Sequence, residues 1–222
     1  MIGVVIPAHN EEQLLADCLR CALKAASHPE LNEDVAILVV LDSCSDGSLD
    51  IARQFAVQHL QLQVRNVGRA RAAGAQLLLQ AGARWLSCTD ADSRVPEDWL
   101  VAQLALGADA VCGTVTVDRW SEGFEPQARI RYHDAYQDSD GHRHIHGANL
   151  GISAAAYVRA GGFEALACHE DVQLVRQLQR CGASIAWSRH PQVITSGRLD
   201  SRAKGGSVSY THLRAHETRE DL

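Results

Sequence analysis

The chain has no apolar run long enough to cross a bilayer; its longest, around 36–41 and 77–79, are sized for a protein core. It has no signal-peptide pattern either. Met1-Ile2-Gly3-Val4-Val5-Ile6-Pro7 lacks both a basic leader and a small-residue cleavage site, so a cytoplasmic location is expected, with peripheral membrane contact left open. It has no basic excess: the net charge of -6 argues against nucleic acid as a partner, because phosphate backbones select basic surfaces. Cys18 and Cys21 form a CxxC with no second pair at zinc-ribbon spacing. The seven scattered cysteines read as reduced thiols, buried or half-buried, in a reducing compartment. No internal repeat and no low-complexity linker divides the 222 residues, which fits one α/β domain. No G-x-G-x-x-G follows the first strand, which argues against a dinucleotide oxidoreductase.

What is present is an alternation of short apolar runs and helical periodicity. Ile2–Ile6 and Val35–Leu41 are β-branched runs suited to buried parallel strands. Between them Leu14, Leu15, Cys18, Leu19, Ala22 and Leu23 recur at helical spacing, with Asn10 as the expected cap. A helix with Leu49, Ile51, Ala52 and Phe55 inward follows Asp42–Gly47. Then come a strand at Leu62–Arg65, a helix at Gly68–Ala81, a strand at Arg84–Thr89 and a helix from Pro96 to about Leu106. Ala108–Val117 reads as a strand. The pattern βαβαβαβ predicts a Rossmann-like, mostly parallel central sheet with helices on both faces. In the second half Gly123–Gln137 is compatible with a helix, Asp138–His146 with a polar loop and Gly147–Ser153 with a strand. Ala154–Ala160 and Glu170–Cys181 read as helices, the latter with Gly182 at its C′ position, and Ser184–Trp187 and Val193–Thr195 as two closing strands.

Ligands of an open α/β sheet collect beyond the carboxyl ends of its strands. Three polar clusters fall there: Pro7–Glu11, Asp42–Asp46 and Asp90–Asp92. Asp90-Ala91-Asp92 supplies two carboxylates around a small residue, the oxygen chemistry that suits Mg²⁺ or Mn²⁺ shared with substrate phosphates. The plain alternative is a turn whose acids cap the helix behind it. Glu170-Asp171 opens an amphipathic helix, where acids offset the macrodipole; the functional reading is a general base. His142, His144 and His146 alternate, so an extended chain would put them on one face as a metal site, although a solvated loop explains them as simply.

Together these segments resemble glycosyltransferase family 2, whose members have the GT-A fold. The resemblance runs over nearly all of residues 1–206. Val4–Glu12 resembles the opening strand and nucleotide-contacting loop, and Val39–Ser48 the second motif, in which the Asp42 position contacts the donor base. Gly68–Gly74 is similar to the helix start near the donor phosphates. Asp90-Ala91-Asp92 is the DXD-type motif. His146–Gly151 resembles the acceptor-side strand, His169-Glu170-Asp171 the ED motif, and Thr195–Arg198 a late segment near the diphosphate. The resemblance implies an inverting glycosyltransferase that moves a sugar from a nucleotide-diphosphate sugar to an acceptor hydroxyl. Asp171 is the implied base, and Pro7, Ala8, Asn10, Glu11, Asp42, Arg71, Asp90, Ala91 and Arg198 are the implied donor-side residues. Asn149 and Glu170 stand on the acceptor side, and Asp92 holds the divalent cation, with His146 a second candidate. The chain departs from the family pattern at Leu41, where an acid is frequent, and at Ala73, where Asn is frequent.

Two other functions fit less well. A nucleotidyltransferase that makes the nucleotide-sugar carries a Gly-rich basic loop after its first strand, and Pro7-Ala8-His9-Asn10 has neither glycine nor a basic residue other than histidine. A non-catalytic nucleotide-sugar-binding protein would have no use for Asp171. The tail, residues 207–222, is expected to lie outside the 1–206 domain. Its stretch Val208-Ser209-Tyr210-Thr211-His212-Leu213-Arg214-Ala215-His216-Glu217-Thr218 resembles a translated sequencing adapter, which makes a C-terminal truncation of the natural domain the expectation.

Overall fold

A computed structural model describes residues 1–120, 136 and 138–197. The chain runs β1 (Ile2–Ala8), α1 (Leu15–Ala26), β2 (Val35–Asp42), α2 (Ser48–Ala52), β3 (Gln58–Leu62), α3 (Val67–Gln80), β4 (Trp85–Cys88), α4 (Trp99–Ala105) and β5 (Ala110–Trp120). A 3-10 turn (Gly147–Asn149), β6 (Leu150–Ser153), α5 (Ala154–Arg159), α6 (Glu170–Arg180) and β7 (Ile185–Gly197) follow. The seven strands form one sheet in the order β3-β2-β1-β4-β6-β5-β7. β1 pairs in parallel with β2 and β4, β2 with β3, and β5 with β7; β6 alone runs antiparallel, between β4 and β5. The expected mostly parallel sheet is therefore observed.

Alternation along each strand sends side chains to both faces, and helices cover both. Ile2, Val4 and Ile6 of β1 pack with Leu15 and Leu19 of α1 and with Trp99 and Leu100 of α4. Val5 points the other way, toward Ala70, Ala75 and Leu78 of α3 and Leu174, Val175 and Leu178 of α6. On that side α3 lies close to the sheet because Gly74 has no Cβ; one there would stand 2.8 Å from Val5 and 2.9 Å from Val40. All seven cysteines are free, with Cys18, Cys88 and Cys112 buried and the others half-buried.

Several boundaries differ from the sequence reading. Asn10 does not cap α1: it sits at φ 56°, its side-chain oxygen takes the Ser45 N–H at 2.7 Å, and the helix begins only at Leu15. β3 covers Gln58–Leu62, not Leu62–Arg65, because the chain beyond Leu62 turns to wrap Asp42. α4 starts at Trp99, after a turn in which Trp99 N–H donates to the Pro96 carbonyl. The strand expected from Gly147 begins at Leu150, and the two closing strands are one, β7. Gly182 does take the left-handed conformation at the C′ position of α6, at φ 71°. The helix expected over Gly123–Gln137 falls almost wholly outside the described residues, as do Arg198 and the 207–222 tail.

Candidate active site

The carboxyl ends of β1 and β2 are tied together by their own loops. His9 Nδ1 lies 2.7 Å from the Asp42 carbonyl, Glu11 N–H donates to Ser48 Oγ at 2.7 Å, and Glu12 N–H donates to Asp46 at 3.0 Å. Of the donor-side residues expected here, Ala8 and Glu11 are buried and Pro7 and Asn10 are half-buried.

Asp42 closes the next layer. Its Oδ1 accepts from the N–H of Val64 (2.8 Å) and Arg65 (2.9 Å) and from Ser43 Oγ (2.9 Å), and its Oδ2 from the N–H of Asn66 (2.7 Å). Asn66 in turn caps α3 by accepting the Arg69 N–H at 2.9 Å. Three of the four bonds crowd onto Oδ1 and one falls on Oδ2, so most of the carboxylate's roughly four acceptor positions are taken by the protein. Burial pushes the Asp42 carboxyl up, but the backbone N–H groups outweigh it and hold it below the usual carboxylate range. A folded-state value below the unfolded one means that the stabilisation is complete above the unfolded value, about 3.9, and is lost as pH falls through the folded value. Asp42→Asn should therefore be less stable than the parent at neutral pH, with the gap closing as pH drops toward 2. Urea midpoints between pH 6 and 2 check this; parallel curves would rule it out.

The loop after β4 is anchored on both sides. The Asp90 carbonyl accepts from Ser93 N–H (3.0 Å) and from Cys18 Sγ (3.3 Å). Arg94 and Ile194 exchange backbone hydrogen bonds at 2.7 and 3.1 Å, and Ser93 Oγ donates to Thr195 Oγ1 at 2.9 Å. Ile194 and Thr195 thus lie beside Ser93 and Arg94, the residues that follow Asp92. Ala91 is buried, whereas Asp90 and Asp92 are half-exposed, and Asp92 Oδ1 also lies 3.4 Å from Ser93 Oγ.

Arg71 departs from expectation. Its side chain is 2% exposed, where a donor contact needs an open face. Its Nη2 donates to Asp90 Oδ1 at 2.5 Å and its Nε to Glu170 Oε1 at 3.0 Å, while Nη1 is buried without a hydrogen-bond partner among the described residues. Burial raises the Glu170 carboxyl pKa, and Arg71 only partly offsets this. Asp171 is half-exposed; its Oδ2 accepts the Gly147 N–H at 2.7 Å and its Oδ1 the Val172 N–H at 2.8 Å. Asn149, expected on the acceptor side, is fully buried and has no exposed atom to offer. Its Oδ1 accepts from Trp99 Nε1 and its Nδ2 donates to the carbonyls of Thr114 and Pro191.

The histidine run is neither a solvated loop nor a metal cage. His142, His144 and His146 do share a face, but their rings stack on one another and on Tyr136, with the Tyr136 and His144 centroids 4.2 Å apart. His142 is fully buried. Tyr136 Oη accepts the Val115 N–H at 2.9 Å and lies 3.0 Å from His146 Nε2. Burial, then the neighbouring histidines, push His146 down to about 3, so the ring is neutral. With Nε2 turned to Tyr136, His146 is a poor second cation ligand. Among the described residues no group of three His, Cys, Asp or Glu side chains could hold a metal ion. A half-exposed carboxylate such as Asp92 suits a hard ion that takes most of its oxygens from phosphate and water, not a resident ion caged by protein. Two features had no signal in the sequence: the double pairing of Arg71 and the Tyr136–His146 contact. Each depends on side chains meeting in the folded chain, which no motif encodes.

A family model described as glycosyl transferase family 2 matches residues 3–160. No curated protein matches the sequence significantly. Among solved structures, TarS residues 1–349 of S. aureus in complex with UDP-GlcNAc superposes with a TM-score of 0.69 at 15% identity, covering 100% of this chain and 67% of that one. A mannosyltransferase, PcManGT of Pyrobaculum calidifontis, in complex with GDP-Man and Mn²⁺, superposes with a TM-score of 0.63 at 18% identity, covering 90% of this chain and 58% of that one. The chain thus spans about two thirds or less of the length of these structures. At such identities the likeness speaks for the fold, which is the GT-A type expected.

Proposed function

This chain belongs to glycosyl transferase family 2, and from that premise we propose that it transfers a sugar, with inversion, from a nucleotide-diphosphate sugar to an acceptor hydroxyl. The observation that carries the reading is the meeting of the two acidic motifs. Asp90 and Glu170, far apart in sequence, share one guanidinium, which puts the Asp90–Asp92 loop and the Asp171 end of α6 at one site. The donor would lie across the ends of β1, β2 and β4, where Pro7, Ala8, Asn10, Glu11 and Asp42 stand. Asp171 is oriented by two backbone N–H groups and keeps acceptor capacity on both oxygens, so it can take the proton of an acceptor hydroxyl as the diphosphate leaves from the opposite face. Asp92 is the residue that would hold a divalent cation. Such an ion, Mg²⁺ or Mn²⁺, supplies neutralisation of charge on the departing diphosphate. A cytoplasmic setting suits seven free thiols, and no helix among the described residues is long and apolar enough to cross a membrane.

A thermal-shift screen of nucleotide-sugars with and without Mn²⁺ tests this, because a ligand that binds the native state raises its stability. A Mn²⁺-dependent shift with UDP-GlcNAc or GDP-mannose is expected for the parent, and Asp92→Asn should abolish its Mn²⁺ dependence. A shift of equal size in Asp92→Asn would remove that residue from the cation site. Absence of a shift with any donor would count against the reading as a whole.

A further inference from the structure

We propose that Arg71 is a positioning residue: it holds Asp90 and Glu170 on one guanidinium and so fixes the Asp90–Asp92 loop against the helix end that carries Asp171. This deepens the transfer reading above and rests on it for what Asp92 and Asp171 do. The sequence resemblance places Arg71 among the donor contacts. At 2% exposure it has no surface to offer a donor, whereas Asp90 beside it is 39% exposed. The guanidinium faces inward among protein groups, with its carbon 5.9 Å from the Phe163 ring centroid.

Three motifs converge on this side chain. Asp90 comes from the loop after β4 and Glu170 from the first turn of α6. The third is Gly147, the residue before Ala148-Asn149. A Cβ on Gly147 would stand 2.5 Å from Arg71 Nη2, so the backbone approaches the guanidinium as closely as glycine permits. The N–H of that same Gly147 donates to Asp171 Oδ2 at 2.7 Å. Arg71 therefore touches the DXD-type loop, the neighbour of the base and the backbone that orients the base.

The chemistry requires arginine. The guanidinium is planar and permanently charged, and its Nε–H and Nη2–H donors are held in a fixed fork, so one side chain serves two carboxylates that approach from separate elements. A lysine ammonium has the charge without the fixed fork. Removing the cation leaves the buried Glu170 carboxylate facing Asp90, so that one of the two must move or take up a proton. Misplacing a reacting group by about 1 Å costs on the order of 10²-fold in rate.

The test compares the parent with Arg71→Met and Arg71→Lys, and combines each with Asp90→Asn and Glu170→Gln. Turnover is measured with UDP-GlcNAc and GDP-mannose in the presence of Mn²⁺, the affinity for UDP and GDP by calorimetry, and stability by urea unfolding. Arg71→Met should lower kcat by about 100-fold while nucleotide affinity moves by less than about threefold, and Lys should restore only part of kcat. Glu170→Gln should slow the parent yet add nothing after Arg71→Met. A tenfold loss of nucleotide affinity with kcat retained would make Arg71 a donor contact and overturn the proposal; so would unchanged kcat. Should Arg71→Met not fold, Gly147→Ala keeps every charge and drives a methyl against Nη2; the same fall in kcat supports the proposal and an unaltered kcat overturns it. If the parent turns over neither donor, the transfer reading fails for those donors by itself. The clamp is then decided by unfolding: Glu170→Gln should destabilise the parent but be neutral or stabilising once Arg71 is Met, where the two carboxylates repel each other, and equal destabilisation in both backgrounds overturns it.

Discussion

Asp171→Asn is expected to lower kcat by about three orders of magnitude while leaving nucleotide affinity within a few-fold of the parent, since a positioned general base contributes roughly 10²–10⁴. The geometry makes this substitution informative. Asn fills the same volume, and its one carbonyl oxygen can still accept from either Gly147 N–H or Val172 N–H, which the carboxylate takes at 2.7 and 2.8 Å. Its NH₂ group faces the other donor, so one backbone bond is lost. That costs about 1 kcal/mol, which is too little to unfold a domain of ordinary stability. A large fall in kcat with a nearly unchanged unfolding midpoint would thus be chemical in origin. The measurement is initial rates under saturating donor alongside calorimetric nucleotide affinity. Turnover within threefold of the parent would remove Asp171 as base. A loss confined to nucleotide affinity would move it to the donor side.

The first half of the fold was legible because parallel strands buried on both faces read as near-continuous apolar runs, as Ile2–Ile6 and Val35–Leu41 do, while β4 keeps Trp85, Leu86 and Cys88 around a buried Ser87. β3 is misplaced by the sequence pattern for the complementary reason. It is an edge strand of the sheet, and Gln58, His59 and Gln61 are solvent-facing, so its apolar signal is weak. The nearby Val64 gives a stronger signal, although its backbone belongs to the wrap around Asp42. β7 reads as two strands because Ser188-Arg189-His190-Pro191-Gln192 interrupts its hydrophobic run. In the structure the ladder with β5 is broken at the same point: Gly113 pairs with Ser188, and the next pair is Val115 with Val193.

The site was legible as a set of chemistries, less so as a set of contacts. Strand-end placement gave Asp42 and Asp90–Asp92 their shared location, because topology alone brings the ends of β1, β2 and β4 side by side. What burial does to each side chain was hidden. Arg71, Glu170 and Asn149 are polar residues of the kind that contact ligands, and sequence offers no way to tell a polar residue facing a ligand from one satisfied inside. The Arg71–Glu170 pair spans 99 residues. Asn10 failed as a cap for the same reason, since its amide was already engaged with Ser45 from another loop.

Asn149→Ala is expected to destabilise the fold by about 4 kcal/mol, lowering the melting temperature by roughly 10 °C. The ladder between β5 and β7 breaks between Gly113 and Val115, and the residues looped out of β7 there include Pro191. Asn149 supplies what the missing ladder does not: its Nδ2 donates to Thr114 O at 2.8 Å and Pro191 O at 2.7 Å. Its Oδ1 accepts from Trp99 Nε1 at 3.0 Å and so fastens α4 to the same point. Gly113 is glycine because a Cβ would stand 2.2 Å from the Asn149 amide. Truncation to Ala leaves two buried carbonyls and an indole N–H unpaired, each worth about 1–3 kcal/mol, and opens a small cavity besides. Asn149→Asp separates hydrogen bonding from packing. It keeps the volume but turns a carboxylate oxygen toward two carbonyls, so it should be at least as damaging as Ala. If Asn149→Asp were instead tolerated within about 1 kcal/mol by thermal or urea unfolding, the amide's two donated bonds would not be what holds β7 to β5, and packing alone would have to account for it.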